Sequence, residues 1–157
     1  MNYGFYPNRG RNFDQNRRNS QNIKDQTFEF EILNDDADPE KVKKFLENMD
    51  EFTKWLGKKN KNDDKKFSYT KLRKYYDRIL KILRNENNNN KLKAKLQLEV
   101  GVLIDYDIGR EKNKEKIKKV KEFFNETLNL LDNGKKELFE KNWEVLVAYA
   151  RKNLGEN

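Results

Sequence analysis

The stretch Leu92–Ile108, LKAKLQLEVGVLIDYDI, decides between an all-helical chain and a mixed one. Leu96, Leu98, Val100, Val102 and Ile104 alternate as in a strand, whereas the Leu-Lys-Ala-Lys-Leu opening and the length of the segment favour a helix. We read it as a helix, apolar all round and therefore buried at the centre of a bundle. Gly101 costs such a helix roughly 1 kcal/mol against alanine unless a neighbouring backbone packs close to it.

The flanking segments carry helical periodicity. Val42, Phe45, Leu46, Met49, Phe52 and Leu56 recur at three- and four-residue spacing, which predicts a helix over 39–56 with Asp38 as its cap and Pro39 at its first position. A second helix starts between Ser68 and Thr70 and runs to Asn85, with Leu72, Tyr75, Tyr76, Ile79, Ile82 and Leu83 on one face. The Asn-rich run 85–90 is expected to be a loop. Ile117, Val120, Phe124, Leu128 and Leu131 mark a fourth helix over 114–131, which Gly134 punctuates. The last, over 135–154, carries Leu138, Phe139, Trp143, Leu146 and Ala150. No repeat of fixed period and no long heptad register is present, so the expected fold is all-α, a single bundle of about five helices.

Ahead of the bundle, residues 1–38 read as a low-complexity N-terminal extension, and 39–157 as the helical domain. Up to Gln26 the composition of Asn, Arg, Gln and Gly is too polar to repay the entropy of ordering, and a disordered tail is expected. Its Arg9, Arg11, Arg17 and Arg18, among aromatics, suit contact with single-stranded nucleic acid as well as they suit an idle solvated extension. From Thr27 to Leu33, Phe28, Phe30 and Ile32 alternate with Glu29 and Glu31, the pattern of a short extended segment docked on a neighbour.

The 157 residues contain no cysteine and no histidine, which removes disulfides, the usual zinc sites, thiol nucleophiles and imidazole acid–base chemistry. There is no Walker loop, dinucleotide turn or zinc-finger spacing. Asp105 and Asp107 diverge on a helix and are expected to be solvated or capping rather than metal ligands. A non-enzyme without metal or cofactor is therefore expected. No apolar run is long enough for a membrane, and a soluble, cytoplasmic protein is expected.

The 35 Lys and Arg residues exceed the 27 Asp and Glu residues, for a net charge of +8. Their position says more than their number. Between Lys65 and Arg84 only Asp77 offsets Lys65, Lys66, Lys71, Arg73, Lys74, Arg78, Lys81 and Arg84. At about 100° per residue, Lys71, Lys74, Arg78 and Lys81 form a stripe flanking the apolar face, with Arg73 and Arg84 on the other flank. Cations at one-turn intervals can follow a phosphate backbone without reading bases, and an ordinary solvated face is the competing reading. Lys91, Lys93 and Lys95 add to this surface if the second and third helices lie together. The run 111–122 interleaves six lysines with Glu111, Glu115 and Glu122 and reads as a solvated, ion-paired face. Trp55, Tyr75, Tyr76, Trp143 and Tyr149 are expected in the core rather than stacked on bases.

Three stretches resemble a known family. Phe67-Ser-Tyr-Thr-Lys-Leu-Arg-Lys-Tyr-Tyr76, Lys91-Leu-Lys-Ala-Lys-Leu96 and Trp143-Glu-Val-Leu-Val-Ala-Tyr149 are similar, in that order, to motifs of the small subunit of type III-A (Csm-type) CRISPR interference complexes. Ala94 stands where that family often has proline, and Ala150 where histidine is common. The resemblance covers about 66–152. It implies a small, non-catalytic, all-helical subunit of antiviral defence, present in two or more copies beside the other subunits along the guide RNA and its target. It also implies that Arg73, Lys74, Lys93 and Lys95 contact the target-strand backbone, RNA or single-stranded DNA. Lys71, Arg78 and Lys54 join them from the charge pattern alone. The alternative is a free-standing basic helical DNA- or RNA-binding regulator, against which the length of the Asn-rich loop speaks.

Overall fold

The computed structural model describes residues 28–58, 67–111 and 114–155. The expected tail up to Gln26, and Lys65, Lys66 and Lys112, lie outside them. Five helices form one bundle, and no strand occurs among the described residues. Helix α1 is Pro39–Leu56, α2 is Tyr69–Asn85 and α5 is Lys136–Asn153. Helix α3 is composite: Asn89–Leu96, a π-helical turn at Gln97–Gly101, then Val102–Arg110. Helix α4 is Glu115–Leu128, tightened by a 3₁₀ turn at Asn129–Asn133.

The ends are set by side-chain caps. The Glu40 amide donates to the Asp38 carboxylate at 3.0 Å, and the Lys71 and Lys91 amides donate to Ser68 Oγ at 2.9 Å and Asn88 Oδ1 at 3.0 Å. These satisfy amides that a helix leaves unpaired. Gly134, at φ 71°, ends the fourth element: its amide donates to Leu131 O at 3.1 Å and that of Lys135 to Leu130 O at 3.0 Å. Only glycine takes this left-handed position without strain.

Helix α5 packs against both α1 and α2, while α3 lies against α2 and α4. Trp143 at the centre is fully buried and edges onto Phe123, with ring centroids 5.3 Å apart, and onto Phe124. Its indole N–H donates to Thr127 Oγ1 at 3.1 Å, so the largest core side chain brings no unpaired donor.

Three expectations change. Asn89 and Asn90 are already helical, so the connection from α2 to α3 is Glu86–Asn88 and not the whole Asn-rich run. Its length therefore no longer speaks against a helix-turn-helix. The packing does: Lys95 meets Glu86, Arg78 meets Glu99 and Lys71 meets Glu111, so α2 and α3 run antiparallel, side by side. A helix-turn-helix crosses its two helices at about 90–120°.

Next, α3 is a helix but is not buried all round. Leu96, Val100 and Ile104 are fully buried, while Leu98 is 71% exposed, Val102 56% and Tyr106 63%. The apparent strand alternation is two opposite helical faces, each repeating every four residues. Gly101 owes its place to a side chain rather than a backbone: a Cβ there would meet the Phe124 ring at 3.3 Å, where α3 and α4 close together.

Finally, residues 28–38 pack with the bundle rather than with an extension. Phe28 stacks on Phe52 at 5.4 Å and Phe30 edges onto Phe123 at 5.4 Å. The main chain is gripped by two asparagines. Asn48 on α1 accepts from Glu31 N at 2.7 Å and donates to Glu29 O at 3.1 Å. Buried Asn142 on α5 accepts from Leu33 N and donates to Leu33 O, both at 2.8 Å. An amide side chain has one acceptor and two donors, so each asparagine takes the place of a neighbouring strand. The neighbour on which this segment docks is its own bundle.

Candidate nucleic-acid interface

Helix α2 separates its residues by burial into two halves. Leu72, Tyr75, Tyr76, Ile79, Ile82 and Leu83 face the core. Opposite them, Arg73, Lys74, Arg78, Lys81 and Arg84 are exposed, with Asp77 the one acid of that face. The cations run over roughly 16 Å of helix at 1.5 Å per residue. Arg73 binds Asp77 at 3.0 Å, and Arg78 lies 4.0 Å from Glu99 of α3. Lys74, Lys81 and Arg84 make no ion pair with another described residue. Tyr69, Thr70 and the cations from Arg73 to Lys81 line a shallow open depression along this face.

Lys71 belongs to a different structure. Its ammonium is 3.3 Å from Glu111 and 3.6 Å from Asp107, and its side chain is 18% exposed. Asp107 is buried, not solvated or capping, and accepts from the Tyr75 hydroxyl at 2.6 Å. Burial, together with Asp107, pushes the Tyr75 hydroxyl far above the usual phenol range, so it remains the proton donor. A buried carboxylate requires such partners, and Lys71 supplies the charge. Among the expected phosphate contacts, Lys71 thus serves to join α2 to α3.

The others divide. Arg73, Lys74 and Arg78 share the outer face of α2. Lys93 forks onto Asp132 at 2.9 and 3.0 Å, toward the 3₁₀ turn after α4, whereas Lys95 turns to Glu86 at 3.2 Å at the end of α2. They do not extend the α2 row as a pair. Lys54 lies on α1, bound to Asp50 at 3.1 Å. Asp50 also accepts from Asn153 and Lys152, and these partners, Asn153 first, hold its carboxyl down at about 2. Lys54 is therefore part of an α1–α5 junction.

Trp55, Tyr75, Tyr76 and Trp143 are buried and Tyr149 half-buried, as expected of core aromatics. The aromatic that sequence reasoning missed is Tyr106, with the Arg110 guanidinium 5.6 Å above its ring. Its signal was present: Leu98, Val102 and Tyr106 recur every four residues, two positions out of phase with the buried Leu96, Val100 and Ile104.

Among the described residues, no group of three or more acidic side chains converges as a metal site, and no helix is long and apolar enough to cross a membrane. No family model matches the chain, and no significant match exists among curated proteins or solved structures.

Proposed function

We propose that this protein is a non-catalytic, nucleic-acid-contacting helical subunit that holds a phosphate backbone on the outer face of α2. The observation that carries this reading is the face itself: five exposed cations against Asp77 over about three turns, three of the cations without a partner among the described residues. Such a row neutralises phosphates and has no groups arranged to read bases. The more specific reading is a small subunit of a type III-A (Csm-type) RNA-guided complex lying along the guide and target strands. It rests on the three ordered motifs, and a bundle of five helices is compatible with it. Within it, Arg73, Lys74 and Arg78, joined by Lys81 and Arg84, take the target-strand backbone; base pairing reads the sequence.

The test is capture of the tagged full-length chain from its native host, with and without nuclease, and identification of the RNAs and proteins retained. Short guide RNAs together with several other complex subunits are expected. Recovery of the chain alone, or with genomic DNA and no guide RNA, would overturn the assignment to such a complex and leave a free-standing regulator.

A further inference from the structure

We propose that the ligand of the α2 face is an unpaired strand, whose bases lie on the neighbouring stripe Leu98, Val102 and Tyr106 of α3. This rests on the reading of α2 as a phosphate-binding row and adds which form of nucleic acid it takes; in an RNA-guided complex that ligand is a stretch of the target strand outside its pairing with the guide.

The stripe is unlike the rest of the surface. Leu98, Val102 and Tyr106 are the large hydrophobic side chains left exposed among the described residues, and they stand in one line at four-residue spacing, over roughly 12 Å. Isolated exposed apolar residues need no explanation, but a line of them does. The line lies next to the cation row. Tyr75 to Asp107 and Arg78 to Glu99 fix α3 along the flank of α2 that carries Lys74, Arg78 and Lys81. The two outward faces are thus parallel tracks separated by about one helix diameter.

Charge selects the occupant. The acidic groups beside the stripe are already matched: Asp105 binds Lys121 at 2.9 Å, Glu99 lies against Arg78, and Asp107 and Glu111 hold Lys71. What remains is an apolar track beside unmatched cations. An unpaired strand presents apolar base faces and regularly spaced phosphates along the same length, whereas a duplex hides its base faces. Tyr106 under the Arg110 guanidinium is a planar pair on which a base can stack.

The test compares the full-length chain binding a labelled oligouridine and an RNA duplex of the same length by fluorescence anisotropy across salt. The oligouridine is expected to bind more tightly. Tyr106→Ala is expected to weaken it roughly tenfold, with the duplex affinity and the salt slope unchanged and Tyr106→Trp restoring binding. Lys81→Ala is expected to weaken both ligands and flatten the salt slope. Equal affinity for the two ligands, unmoved by Tyr106→Ala, would overturn the base-stacking track while leaving the α2 reading intact. If Leu98→Glu leaves RNA binding unchanged but alters the sedimentation of the free chain, the stripe is a protein contact and the proposal falls. Failure to bind either RNA at low salt would remove the α2 reading itself.

Discussion

Helices α2 and α4 are both rich in basic residues, yet most cations of α2 face solvent, whereas on α4 Lys118 alone is exposed and without an ion pair among the described residues. On α4, Lys119 binds Glu122 at 3.1 Å, Lys121 binds Asp105 at 2.9 Å, and Lys116 is 4% exposed with its ammonium 3.9 Å above the Trp55 ring. Lys116 also donates to the Trp55 carbonyl. On α2, the same kinds of side chain face solvent with one acid among them. Availability of charge is set by what packs alongside, and a count of cations along the chain does not report it. Lys71 makes the point within α2, since its ammonium is held between Asp107 of α3 and Glu111 just after it.

The largest effect is expected from breaking the open row. Lys74, Arg78 and Lys81 changed together to alanine should lower affinity for oligouridine by roughly a hundredfold at low salt and reduce the salt slope by about 2, as three lost contacts to a single strand require. Anisotropy titrations at several salt concentrations check both numbers. An unchanged slope would mean that phosphates bind elsewhere.

Lys71→Met should do the opposite, leaving RNA affinity in place while costing roughly 1–3 kcal/mol of stability, because buried Asp107 loses its nearer cation and keeps the Tyr75 hydroxyl at 2.6 Å and Arg110 at 4.0 Å. Chemical denaturation measures this. A loss of RNA binding without a loss of stability would return Lys71 to the open row.

Lys116 tests the buried end of the comparison. Burial pushes its ammonium from the ordinary 10.5 down to about 8, so the unfolded chain holds this proton more tightly than the folded one. Its contribution to stability is therefore least favourable below pH 8 and improves as pH rises from about 8 toward 10.5. Lys116→Met should remove that rise and add roughly 1 kcal/mol at neutral pH, the cation–π contact and the carbonyl bond offsetting part of the gain. Denaturation midpoints for both proteins across this range give the sign directly.

The smallest effect belongs to the paired surface: Lys119 and Lys121 changed together to alanine should alter RNA affinity less than about twofold and stability by less than about 1 kcal/mol. A larger loss of RNA affinity would place α4 in the interface and blur the contrast with α2.

How much of this was legible depended on whether the cause was local. The bounds of α1 follow from Asp38, Pro39 and a clear apolar period, all within one segment, and the core face of α2 follows likewise. Where a side chain's partner sits on another helix, the sequence is silent: nothing near Lys93 announces Asp132, and nothing near Lys71 announces a buried Asp107. Asp50 and Asn153, 103 positions apart on α1 and α5, are an extreme case. The α3 stripe lies between these cases. Its spacing was visible, but the same residues also satisfy a strand pattern, and only the packing of one face reveals the other as free. The short α2–α3 connection was misjudged because Asn88 caps a helix that begins inside the asparagine run; asparagine serves as loop and cap alike.

The two asparagines that hold residues 29–33 touch main-chain atoms alone, and a main chain is the same whatever side chains it bears. Glu29 and Glu31, which point outward, are therefore free to drift over evolutionary time. Spacing is not. Asn142 grips Leu33 five residues before Asp38 caps α1, so deleting one residue between them would set the amide clamps and the phenylalanine positions out of step. Inheritance in this segment should preserve a distance and a rhythm while letting the letters change.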